Sequence, residues 1–295
     1  MQEKLKELDK KWHALRANPQ HKKIRIKDAA DFLNVSEAEL LSTTINKETI
    51  FLKINNWIKF FEKICSTGQM MYLVRNDYTV HENTITINNI NTEPIDNKNM
   101  LNILVLHNEQ SEIAIHYDNI AYAFSTKTMI RGKEVYSFQL FDPHGTAIIK
   151  IYLKNNNQKQ FDQIKNRYQV SYNYELQKLP FPYKISFNKN NTWYNSVNKN
   201  DKYKESNHFV LHSYLDDIVK SQDKIEIGVC NSSALSIYRG YIHNVIHKFN
   251  WLNIMDNTFN LHIKDDKINS VLEKYSNKKI IELFNNKMHM LHLQK

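Results

Sequence analysis

The chain carries thirteen histidines and two cysteines, and these side chains set much of the chemistry open to it. His208 and His212 stand four residues apart, one turn of a helix. His116 ends an apolar, strand-like run. A neutral imidazole ligates transition metals and titrates near neutral pH. The other ten histidines have no spacing that favours a metal, and His289 and His292, near the end on a meander strand, are weakly suggestive at most. Cys65 and Cys230 are too few for a disulfide framework or a cysteine-rich zinc site. Asp216-Asp217 and Asp265-Asp266 are paired carboxylates. Adjacent residues point apart on a helix or strand, so these pairs read as solvated positions or turns. There is no Gly-x-Ser-x-Gly, phosphate loop, Gly-x-Gly-x-x-Gly or His-Glu-x-x-His, which removes the enzyme classes those motifs serve.

The elements that must position these residues follow from period. Leu5, Leu8, Trp12 and Leu15 have helical spacing, and Asn18-Pro19 breaks the run. A short helix runs over 27–34 with Asn34 as its stop. Ser36 and Glu39 form a capping box for the next helix. A helix at 54–66 carries Trp57, Phe60, Phe61 and Ile64 on one face. From residue 69 the period becomes two, with strands expected at 101–107, 111–117, 120–126, 134–141 and 146–153. Residues 155–168 read as a helix. The stretch 169–205 is polar and irregular and reads as a linker, with a strand conceivable within Ser171–Pro182. A helix at 206–220 and strands at 224–230, 234–238, 241–247, 251–254, 259–263 and 279–284 follow.

Charge and composition narrow the class. Hydrophobic residues make up 41% and charged residues 24%, which is globular composition. No apolar run approaches the ~18 residues of a membrane span. The N-terminal stretch is charged and has no secretory h-region, so a reducing cytoplasm is expected. Net charge is +9. Asn, Lys and Ile are abundant and have A/T-rich codons, so the excess reads first as compositional drift. Its sharper reading is an electrostatic surface for an anionic partner. Nucleic acid is a weaker reading, because no helix-turn-helix or RNP-like run is present. Glycine numbers only five, so Asn is expected to take turns that need positive φ.

The second half repeats the first. At an offset of 155, Ile225, Ile227 and Val229 fall on Met70, Tyr72 and Val74, and Asn231 falls on Asn76. Ile268 matches Ile120 at an offset of 148, and Glu282-Leu283-Phe284 matches Gln139-Leu140-Phe141 at 143. Order is kept while loops shorten, as in a diverged duplication. The expected fold is α+β: two tandem structural repeats, each with helices and a large antiparallel meander sheet. The expected divisions are 1–168, a linker at 169–205, and a shortened second repeat at 206–295. Cys65 and Cys230 occupy unequal positions of the repeats and are expected to be unpaired.

Four stretches are more specific. They are Leu15–Pro19 with Asp28–Ala30 and Val35–Leu40; Arg75–Glu82; Phe141–Ala147 with Lys150–Tyr152; and Trp251–His262. Together they resemble the bacterial cytoplasmic haem-utilisation proteins of the HemS/ChuS/HmuS type. The resemblance implies two tandem α+β repeats with haem between them. It implies an axial histidine from a helix before the second sheet and an arginine on the other face. It also implies a role in haem uptake and utilisation, with a haem oxygenase-like or importer partner where haem is passed on.

The chain departs from that pattern at the site. Ala114 occupies the arginine position, His116 a phenylalanine position and Ile120 a tryptophan position. The second repeat lacks a counterpart of the helices at 27–45, and no residue matches the axial histidine. Haem iron needs an imidazole, phenolate or sulfur ligand. The candidates are His212 and His208 on the helix opening the second repeat, with His116 opposite. Expected function is haem binding for trafficking or storage, with ring-opening absent or weak. The alternative is a scaffold relative that has lost haem and binds another, anionic partner.

Overall fold

The computed structural model describes residues 2–94, 102–130, 132–154, 157–170, 204–207, 209–275, 279–285 and 288–295. Contacts gather into two units. One contains Met1–Thr67 and Asp118–Ser186, the other Gly68–Tyr117 and Phe187–Lys295. The fold is α+β with antiparallel sheets, as the two periods require.

In the first unit, α1 (Gln2–Ala17), α2 (Ile26–Leu33) and α3 (Glu37–Ser42) pack through Leu8, Trp12, Leu15, Ala29, Ala30 and Leu40. Asn34 closes α2 at φ 58, the left-handed conformation in which Asn replaces Gly. The Ser36 cap forms, its Oγ accepting from the Glu39 amide at 3.1 Å, while the Glu39 carboxylate pairs with Lys4. Strands β1 (Thr49–Leu52), β7 (Tyr122–Ile130), β8 (Lys133–Phe141) and β9 (Ala147–Leu153) pair in that order. Helices α4 (Trp57–Cys65) and α5 (Gln158–Tyr168) cover them through Phe60, Phe138 and Phe161, with Phe138 and Phe161 stacked at 4.4 Å. In the Asp142–Thr146 turn, Asp142 Oδ1 accepts from the amides of His144 and Thr146. Gly145 has φ +73, and a Cβ there would collide with Ser36. That turn is therefore explained by packing against α3.

The second unit holds two strand systems. One runs β2 (Met70–Arg75), β3 (Thr79–Ile85), β15 (Phe259–Lys264), β14 (Trp251–Met255) and β13 (Val245–Lys248). The other is a nine-stranded sheet. Its order is β10 (Lys204–Ser206), β16 (Ser270–Tyr275), β17 (Lys279–Asn285), β18 (Met288–Gln294), β11 (Ile225–Cys230), β12 (Ala234–Gly240), β6 (Ser111–His116), β5 (Asn102–His107) and β4 (Asn89–Pro94). Helix α6 (Phe209–Ser221) packs Leu211, Tyr214, Leu215 and Ile218 into a core with Ile225, Ile227 and Val229.

The repeats appear in both order and pairing. The run β1, α4, β2 to β9 recurs as β10, α6, β11 to β18. Each repeat sends its three-strand excursion to the other repeat's hairpin: β6 pairs β12, and β15 pairs β3. The two turns match atom for atom. Asn76 Oδ1 accepts from the amides of Tyr78 and Thr79, and Asn231 Oδ1 from those of Ser233 and Ala234. Asn76 Nδ2 donates to the Cys230 carbonyl while Asn231 Nδ2 donates to that of Arg75.

Several boundaries differ from the sequence reading. Strands β1, β4 and β16 replace irregular chain, and β13 begins at Val245 instead of 241. Lys204 and Glu205, assigned to the linker, and Ser206, assigned to the helix, form an edge strand on β16, and α6 starts at Phe209 instead of 206. The expected strand within Ser171–Pro182 lies outside the described residues. Cys65 and Cys230 are both free.

Candidate functional site

Asn207 caps the start of α6, its Oδ1 accepting from the Phe209 amide at 3.1 Å. The apolar face of the helix fixes its rotation, and His212 follows Leu211 at the rim of that core, partly buried. His212 Nε2 lies 3.0 Å from Asp265 Oδ1. Asp265 opens a 3₁₀ turn, Asp265–Lys267, and its amide donates to the Asn250 carbonyl at 2.9 Å. His247 on β13 completes the group, its ring centroid 4.3 Å from that of His212. The paired carboxylates 265–266 thus form a turn, as expected, but Asp265 also partners a histidine.

His116 ends β6, half-buried, with its amide donating to the Ser233 carbonyl at 2.8 Å. Side chains alternate along a strand, so it shares the face of Ala114. Ala114 packs with Ile103, Cys230, Leu235 and Ile237 in a cluster separate from the α6 core. Cys230 lies on the opposite face of β11 from Val229. His116 and His212 therefore sit on opposite faces of the nine-stranded sheet. The structure does not bring the two histidines together, because alternation along β11 separates the two clusters. His208 lies outside the described residues.

A third group contains His289 and His292, which the sequence placed on a meander strand without the carboxylate that joins them. Glu282 on β17 is fully buried between two histidines of β18, its oxygens 2.6 Å from His289 Nε2 and 2.7 Å from His292 Nδ1. His292 Nε2 is 3.6 Å from Glu226 on β11, and Arg239 on β12 donates to Glu226 at 2.6 Å. Cys230 Sγ lies 3.7 Å from His289 Nδ1. Gly228 lies directly across from His292. Burial works against a charge on His292, but hydrogen bonds to Glu226 and Glu282 outweigh it and push the imidazole up to about 9. The hydrogen bond with His292 draws Glu226 down to about 2. Burial, with the Glu282 carboxylate nearby, pushes the Cys230 thiol up to about 12, so it is an inert thiol at neutral pH. The signal available in sequence was the His289/His292 and Glu282 positions on adjacent strands, visible only once β18 is placed.

The model of the haemin-degrading HemS/ChuX domain matches residues 34–168 and 207–292. The chain belongs to that family. Its fold is similar to that of the haem-degrading enzyme ChuS of Escherichia coli O157:H7, at 18% identity and a TM-score of 0.82, covering 98% of this chain and 93% of that one. It is also similar to holo-PhuS, a haem-binding protein from Pseudomonas aeruginosa, at 17% identity and a TM-score of 0.80, again covering 98% and 93%. At such identities the likeness is one of fold. No curated protein matches the chain. Among the described residues, no helix is long and apolar enough to cross a membrane. Family membership ties the chain to haem utilisation.

Proposed function

We propose that the chain is a cytoplasmic haem-binding protein of haem uptake and utilisation that carries or stores haem and does not open the ring. The observation that carries this is the family match across both repeats. Of the three candidate histidines, His116 has the setting that suits a porphyrin. An imidazole stands on the same strand face as Ala114, beside the apolar Ile103 and Leu235. An apolar wall with one imidazole fits haem's needs. Bound haem would supply a redox-active iron centre. The role of His116 is to hold the group in place, and that of Ile103 and Leu235 is to exclude water from it. Ala114 offers no donor to steady a bound oxidant, which favours carriage over degradation. His212 is committed to Asp265 and His247 and is not the ligand in this reading.

The test is haemin titration of the wild-type chain and of His116→Ala, His208→Ala and His212→Ala. The Soret maximum should move in His116→Ala alone. Haem-loaded protein given a reductant and catalase should keep its Soret band at close to the rate of free haem. Steady bleaching with a defined open-chain tetrapyrrole overturns the carrier reading. No saturable Soret change, together with salt-dependent retention on heparin, would favour a scaffold relative with an anionic partner.

A further inference from the structure

We infer that His212, His247 and Asp265 form a binding site for a single divalent transition-metal ion of the zinc class, separate from haem. Each residue comes from a different element: α6, β13 and the 3₁₀ turn after β15. Their ligand atoms, one per residue, all lie within 4.8 Å of one another. The His212–Asp265 separation is already 3.0 Å. A tetrahedral ion with bonds of about 2.0–2.1 Å holds its ligands about 3.3 Å apart. The exposed His247 ring can close the remaining gap by side-chain rotation, since it stands in solvent.

The donor set selects the ion. Two imidazole nitrogens and one carboxylate oxygen suit zinc, cobalt or nickel, whereas magnesium and calcium want oxygen throughout. Three protein ligands leave a fourth position for water, and the exposure of His247 gives an ion a path in. The supporting elements are anchored independently of any ion. Leu211 and Leu215 fix α6, and the β13–β14 pairing sets His247 across from the buried Leu252, on the side of the core that α6 joins. The Asn250–Asp265 backbone bond fixes the turn. An ion here would tie α6 to the β13–β15 system, so its binding should raise the unfolding temperature. The site does not rest on the haem reading, because its residues lie on the opposite face of the nine-stranded sheet from His116.

The experiment is calorimetric titration of the metal-free full chain with zinc chloride, with cobalt(II) absorption as a second readout. One equivalent should bind with micromolar affinity, on the order of −8 kcal/mol. Affinity should fall at least about tenfold in His247→Gln and in Asp265→Asn. It should be unchanged in His243→Gln, an exposed histidine beside Asp256 that serves as control. Visible cobalt bands of a four- or five-coordinate site should appear in the wild type and vanish in His247→Gln. Absence of saturable one-equivalent binding overturns the proposal. Equal affinity in His247→Gln and wild type also overturns it, and because His247 is exposed that variant keeps its fold.

Discussion

The two repeats share elements and pairing but not polar chemistry. In the second, His212, His247 and Asp265 converge. By register, the corresponding positions of the first hold Trp57, Thr92 and Tyr117, none of them a usual zinc ligand. The same contrast runs through the sheets. Glu282 faces His292 across β17 and β18, where Gln139 faces Lys150 across β8 and β9. Lys150 is buried against Glu37 of α3. The second repeat places a histidine at 292 and pairs it inside the sheet with Glu282 and Glu226. Apolar spacing therefore sets the shared scaffold, while the partner available to each buried polar position sets its chemistry.

The largest effect on this comparison should come from Glu37→Ala. It leaves Lys150 buried without its partner and should cost about 3–5 kcal/mol in urea unfolding. Loss below about 1 kcal/mol would mean that Lys150 finds another partner. Glu282→Gln gives the second repeat the residue of the first. It keeps a hydrogen-bonding group but loses the charge between two histidines, and should cost about 2 kcal/mol.

The pH profile sharpens the contrast further. The folded pKa of His292 is raised to about 9 from an ordinary 6.5. Its contribution is therefore present below pH 6.5 and lost as pH rises through 9. Glu226, lowered to about 2 from 4.5, contributes above pH 4.5 and loses that contribution as pH falls toward 2. His81, fully buried beside Phe259, is pushed down by burial to about 3, so stability also falls as pH drops from 6.5. Urea midpoints of His292→Gln should lose the alkaline decline between pH 7 and 9 that the wild type shows. An identical decline in both would assign it to another group. The smallest effect belongs to His247→Gln. Its stability without metal should stay within about 0.5 kcal/mol of wild type, and the gain that zinc gives the wild type should disappear.

Much of the scaffold was legible in sequence because it rests on period. The helix of Phe60, Phe61 and Ile64, the Ser36 cap and the Asn34 stop rest on short-range spacing, and the structure bears them out; the 155-residue offset rests on repeated pattern and reappears in the matched Asn76 and Asn231 turns. Edge strands were not legible. Thr49–Leu52 has only four residues, and Asn89–Pro94 is polar, so neither has a strong alternation. The crossing of β6 to β12 and β15 to β3 is a long-range pairing that no local signal encodes. The site was less legible than the fold. His212 was singled out, but His247 and Asp265 lie 35 and 53 residues beyond it and meet it only through the β13–β15 excursion. His116 was placed on the correct face relative to Ala114 by alternation alone, yet its separation from His212 depended on which face of the nine-stranded sheet α6 covers.

Haem binding itself is tested most directly by titrating the metal-free full chain with haemin and following the Soret band in a difference spectrum. The account predicts saturation at one equivalent per chain with a shifted Soret maximum that His116→Ala alters. A linear, unsaturating rise indistinguishable from free haemin would contradict it.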